Sequence, residues 1–202
     1  MLTWRLGQTR GMGNRDTVYD VLVKALGATR DRRATALLLR ALYDPVVDPR
    51  RTAEALGNLG DPRAVGPLFD VASQPPCLLF AGCWALPATC GVAVGKIVRQ
   101  APELRASIVQ HLDSGNWRQR ACAVQACGEL ADEAAQAAVT AALSDPQPDV
   151  RAAAADAAGR LQLRTAEPAL RRLEADDPYW FVRRPASDGL TRLAGREPEH
   201  WW

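Results

Sequence analysis

The sequence predicts an all-α fold, an α-solenoid of about six stacked helical hairpins with the first copy partial, and three features carry that prediction. Glycine returns at a near-constant interval behind alanine-rich segments, at Gly27, Gly57, Gly128 and Gly159. An aspartate opens an apolar segment with helical spacing at Asp31, Asp61 and Asp132. Asp-Pro steps punctuate the chain at Asp44-Pro45, Asp145-Pro146 and Asp177-Pro178. A helix pair of about 30 residues cannot bury its apolar face alone, whereas stacked pairs share one continuous core.

The alanine-rich segments define the register. DVRAAAADAAGRL (149–161) superposes on RQRACAVQACGEL (118–130) at a shift of 31 residues, with Arg151 on Arg120, Gly159 on Gly128 and Leu161 on Leu130. DPRRTAEALGNLGD (48–61) brings Gly57 to the same slot, and KALGATRD (24–31) brings Gly27 there. VRRPASDGLTRL (182–193) follows, with Thr191 in place of the glycine. The third copy reads as Cys77 to Thr89 with Pro87 in the slot, 41 residues before Gly128. That spacing predicts an irregular insertion over about 88–115, with a helix broken near Ala101-Pro102. Thr3 to Gly7 reads as the end of a helix. Alanine favours the helix and lets a neighbouring helix come close. Each slot glycine is expected to end its helix within about two residues by turning left-handed.

The other helix of each pair starts at the aspartates. DPRAVGPLFDVA (61–72) and DEAAQAAVTAAL (132–143) place an N-capping side chain before a helical apolar pattern, and Pro62 is tolerated in the first turn. The Asp-Pro steps then stop one helix and turn the chain into the next. All of this fits one domain over residues 1–202.

The pattern D-x-V-R-x-x-A-A-x-x-A-G of 149–159, with AEALGNLGDPRAVGPL of 53–68, resembles the short bacterial HEAT-type repeat described in phycobilisome lyases. The resemblance covers most of the chain and implies a solenoid whose V-R helices line the concave side. It implies no common catalytic residues, because such repeats occur in scaffolds, regulators and accessory subunits.

Composition narrows the function classes. A net charge of +2 is no nucleic-acid footprint by itself, and all the basic residues except Lys24 and Lys96 are arginines, a bias that fits a GC-rich bacterial genome. Apolar runs fall far short of the roughly 20 residues of a membrane helix, and the start does not read as a secretory signal, so a cytoplasmic location is expected. Cys77, Cys83, Cys90, Cys122 and Cys127 form no C-x-x-C pair and read as small buried hydrophobes.

Candidates for chemistry are few. His111 and His200 are the only histidines and stand in no metal-ligand spacing, which excludes the HEAT-like hydroxylases that bind metal through His-Glu pairs. His111, near a helix end, reads as solvated or capping. Asp132-Glu133 and Asp176-Asp177 fall at helix starts and linkers, where capping explains them. No catalytic residue, metal ligand or cofactor is assigned.

What remains is surface. Counting back three and seven residues from the slots gives two ridges on one helix face, with Phe80 and Trp84 where other copies place Asp20 and Lys24, Arg50 and Glu54, or Ala121 and Gln125. The two aromatics are therefore expected to be an exposed anchor in mid-groove. Arg120, Arg151 and Arg183 share the V-R position, with Trp117 and Trp180 shortly before two of them. They read either as a ladder in which each arginine pairs with the adjoining copy or as a basic, aromatic stripe for a partner. Partner binding is accordingly assigned to Phe80, Trp84, Trp117, Arg120, Arg151, Trp180 and Arg183. The first functional reading is a non-enzymatic module holding a protein or peptide on the concave face. The alternative is a bilin lyase-like or tetrapyrrole-handling subunit, which the resemblance suggests. A nucleic-acid-binding HEAT-like protein comes third, disfavoured by Asp156 and Asp188 on the ridge.

Overall fold

The computed structural model describes residues 18–29, 31–75 and 85–198. Among them are eleven α-helices and no strand. The helices are α1 (Val18–Ala28), α2 (Thr35–Leu42), α3 (Pro49–Leu59), α4 (Val65–Ser73), α5 (Leu86–Gln100), α6 (Arg105–Leu112), α7 (Trp117–Cys127), α8 (Glu133–Ala142), α9 (Pro148–Arg160), α10 (Glu167–Asp176) and α11 (Trp180–Leu193).

The local signals act as the sequence indicates. Asp61 caps the 3-10 turn that opens into α4 by accepting from Arg63 N at 3.0 Å, and Asp132 caps α8 through Ala135 N at 2.9 Å. The Asp-Pro steps are turns that close on the aspartate itself: Asp44, Asp145 and Asp177 accept from Val46 N, Gln147 N and Tyr179 N at 2.9, 2.8 and 3.0 Å.

The helices form two layers. Odd-numbered helices stack in chain order, α1 on α3, α3 on α5, and so on to α9 on α11. Each even-numbered helix packs on the odd one that follows it, and no two even-numbered helices pack together to a similar extent. Tight contact in one layer and spread in the other put the odd, V-R-bearing layer on the inside of the curve. One apolar core runs the length of the stack, from Val23 through Leu56, Val94 and Val124 to Ala155 and Val182.

The slot glycines do lie at helix ends: α1, α3, α7 and α9 stop at Ala28, Leu59, Cys127 and Arg160. Their role differs from the one expected. Only Gly60 and Gly195 among the described glycines have positive φ, and Gly128 has φ −59°. The slot glycines instead let consecutive odd helices touch. A Cβ on Gly27 would lie 2.7 Å from Ala55 Cα, one on Gly57 2.7 Å from Ala93 Cα, and one on Gly159 2.6 Å from Gly189 Cα.

That contact corrects the third copy. Each slot meets the residue two places before the slot of the next copy, and Gly57 on Ala93 therefore makes Gly95 the third slot, not Pro87. Gly95 in turn packs against Ala126 O, where its Cβ would stand 2.6 Å away. Pro87 lies in the first turn of α5, where a proline costs the helix nothing. The region expected to be irregular over 88–115 is mostly helical, and the extra residues fall before α5, between Ser73 and Leu86. The break near Pro102 is present: α5 ends at Gln100 and a 3-10 turn, Pro102–Leu104, leads into α6.

Candidate functional site

The V-R arginines build a ladder along the N-terminal ends of the inner helices. Arg120 grips both carboxylate oxygens of Asp145 with Nε and Nη2 at 2.9 Å each, and its Nη1 donates to Ser114 O at 2.7 Å. One copy on, Arg151 Nε donates to Asp177 Oδ2 at 2.7 Å and Nη1 to the carbonyls of Asp145 and Pro146 at 2.9 and 3.1 Å. Each guanidinium thus ties the linker of its own copy to the aspartate of the next. Arg183 anchors in the same way, with Nη1 on the carbonyls of Asp177 and Pro178 at 2.8 and 3.2 Å.

The carboxylates respond to this setting. Burial pushes Asp177 up, but the bond from Arg151, the Tyr179 N–H and the charges of Arg151 and Arg183 outweigh it and hold the carboxyl below its usual range. Asp145 is treated alike: burial opposes, while Arg120, Gln147 N–H and the charge of Arg151 prevail. Of the two readings for Arg120 and Arg151, the intramolecular ladder is the one with visible contacts.

A second network was not anticipated. One residue after the slot in the last five copies stand Asn58, Lys96, Glu129, Arg160 and Arg192. Arg160 pairs with Glu129 and donates to Gln125 Oε1, Arg192 Nη1 reaches Asp156 at 3.1 Å, and Lys96 Nζ reaches Asn58 at 3.3 Å. The recurring polar residue just past the slot was the available signal. These bonds engage Gln125 and Asp156 of the ridge expected to be open, and Gln125, Asp20 and Ala121 are buried. With Gly95 as third slot, the ridge positions of that copy are Ala88 and Val92, not Phe80 and Trp84. Phe80 and Trp84 lie outside the described residues, but the corrected register puts Trp84 at the position of Trp117 and Trp180, eleven residues before the slot.

The tryptophans in that position differ. Trp117 is half-buried against the core, with Arg118 Cζ 4.4 Å from its ring centre. Trp180 is 69% exposed beside Tyr179 at 45%, and its ring meets Phe181 edge-on with centroids 6.2 Å apart. It lines a groove of about 750 Å³ along α11, together with Glu174, Arg183, Arg184, Asp188 and Arg196.

Other candidates are absorbed by packing. His111 does not cap its helix. It stacks on Phe69 with centroids 3.9 Å apart and Nδ1 2.6 Å from Ser107 O, joining α6 to α4. Cys90, Cys122 and Cys127 are buried, and burial pushes the Cys90 and Cys127 thiols up to about 12 and about 11. Cys77 and Cys83 lie outside the described residues. Among the described residues no group of three His, Cys, Asp or Glu side chains could hold a metal ion, and no helix is long and apolar enough to cross a membrane.

The fold and its inter-copy ladder define an α-helical repeat protein. The family model for HEAT repeats matches residues 105–191, and that for the PBS lyase HEAT-like repeat matches residues 49–68. The chain is a HEAT-repeat protein. No curated protein matches it. Among solved structures, human deoxyhypusine hydroxylase in complex with glycerol is similar over 92% of this chain and 82% of that one, at 21% identity and a TM-score of 0.44.

Proposed function

We propose that this chain is a non-enzymatic interaction module of the cytoplasm that holds a protein or peptide along its inner, arginine-laddered layer. The observation that carries this reading is Trp180, a large aromatic 69% exposed at the end of that layer with Tyr179 beside it and arginines around it. Trp, Tyr and Arg are enriched among the few residues that carry most of the binding energy of protein interfaces, and contiguous exposed apolar surface marks partner sites. Trp84 and Trp117 share the position and belong to the same proposed surface; Phe80, four residues before Trp84, is proposed with them. HEAT repeats commonly serve protein association, which supports the reading.

Partners captured from native extract by the wild-type chain are expected to bind Trp180→Ala at least about tenfold more weakly in direct titration, with little change in thermal stability. Equal affinity for a partner of the variant and the wild type would refute the assignment of this surface.

A tetrapyrrole-handling subunit is the second reading, favoured by the match of the PBS lyase HEAT-like repeat over residues 49–68. Mixing the purified chain with a bilin and recording its absorbance discriminates the two: a saturable spectral shift supports the second reading.

A further inference from the structure

We propose that the groove along α11 takes a carboxylate from an acidic segment of a partner protein, held by Arg183 as Arg120 and Arg151 hold Asp145 and Asp177. This deepens the interaction-module reading and rests on it. The first support is the anchor. Arg151 fixes its guanidinium with Nη1 on two consecutive linker carbonyls, Asp145 at 2.9 Å and Pro146 at 3.1 Å, which aims its Nε at Asp177 Oδ2, 2.7 Å away. Arg183 makes the same pair of contacts one copy later, with Asp177 at 2.8 Å and Pro178 at 3.2 Å. A guanidinium is planar and rigid, so two bonds on Nη1 set the direction of its Nε edge. Arg183 is therefore preorganised for the same bond.

The second support is where that edge lies. α11 is the last helix of the inner layer among the described residues. Thr191 stands in the slot that glycine fills where another helix must approach closely, and Thr191, Ser187 and Arg183 line the groove. Exposed Trp180 lies three residues before Arg183, within reach of the residue that follows a bound carboxylate.

The ligand chemistry follows from the two filled rungs, which each hold an aspartate followed by proline, Asp145-Pro146 and Asp177-Pro178. The groove also carries acids, Glu174, Asp188 and Glu197, with Arg184 3.9 Å from Asp188. These repel a second negative charge, so the site suits one carboxylate beside an apolar residue and not a polyphosphate. An Asp-Pro segment of a partner protein is the occupant to which the geometry commits.

The probe is the capped peptide ALSDPQP, copied from residues 142–148, titrated into the isotope-labelled full chain, with the Asp145→Asn version of the peptide alongside. Saturable shifts of the Arg183 Nε–H and Trp180 indole N–H resonances are expected, at least about tenfold weaker with the asparagine peptide or in Arg183→Gln. Because the peptide pair needs no protein variant, a misfolded Arg183→Gln would not rescue the idea. Absence of saturable shifts, equal affinity of the two peptides, or stronger shifts from a short oligonucleotide would overturn it. So would the same shifts appearing on raising protein concentration alone, which would assign the carboxylate to a second copy of this chain. If the peptide fails while partner capture still depends on Trp180, only this carboxylate site is lost; if capture is also indifferent to Trp180, the module surface itself falls.

Discussion

Replacing Gly91 with alanine is expected to cost the fold about 3 kcal/mol, although alanine is the better helix former by about 1 kcal/mol. A Cβ on Gly91 would lie 2.3 Å from the carbonyl oxygen of Cys122 and 2.6 Å from Gln125 Cβ. Both belong to α7, which is held between α5 on one side and α9 on the other. No flexible side-chain end can move aside, so either α7 shifts or α5 tilts away, and the core between them opens. Gly115, with nothing within 4 Å of a built Cβ, is the matching control, and Gly115→Ala should change stability by no more than about 0.5 kcal/mol. Urea unfolding of both variants is the measurement. A loss below about 1 kcal/mol for Gly91→Ala would mean that the odd helices are not in the close contact that defines the stack.

The slot glycines show where sequence reading stops. Their recurrence gave the repeat, because a stack of near-identical units must place its closest contact at the same position in each. The cause was misassigned because a glycine near a helix end serves a left-handed cap or a close crossing equally well, and only the neighbour decides between them. Ala55, Ala93, Ala126, Ala157 and Gly189 across from the slots decide for the crossing. The third copy slipped because Pro87 and the extra residues before α5 hide its start, and because α5 lacks the V-R pair. Ile97 was the readable clue: it follows Gly95 by two, as Leu59, Leu130 and Leu161 follow their glycines, whereas Thr89 follows Pro87. In the candidate site the V-R ladder was legible because arginine and Asp-Pro recur with the repeat. The Gln125–Arg160–Glu129 network was not, because its members change chemical type from copy to copy while keeping their place.

Removing the arginine of a filled rung should have the largest effect of any surface-layer change. Arg151→Ala is expected to lose about 3–5 kcal/mol, because it leaves Asp177, whose side chain is only 3% exposed, without the guanidinium bonded to it. Arg171→Ala breaks the exposed pair with Glu167 and should cost under about 0.5 kcal/mol. Protonation supplies a further check. Asp145 and Asp177 titrate below their usual range in the folded chain, so they stabilise it above the unfolded carboxyl pKa of about 4, and that stability is lost as pH falls from there through the folded values. Wild type should thus weaken steeply below about pH 4. In Arg151→Ala, burial raises the Asp177 carboxyl and the proton goes on at higher pH, which removes the buried charge. The gap between variant and wild type should therefore narrow as the solution is acidified. Thermal melts at about pH 7, 5 and 3.5 measure it. A gap that stays constant down to the lowest pH, or a loss under about 1 kcal/mol at neutral pH, would show that the rung is a surface pair of little consequence and that the inner layer is held by its alanine and glycine contacts alone.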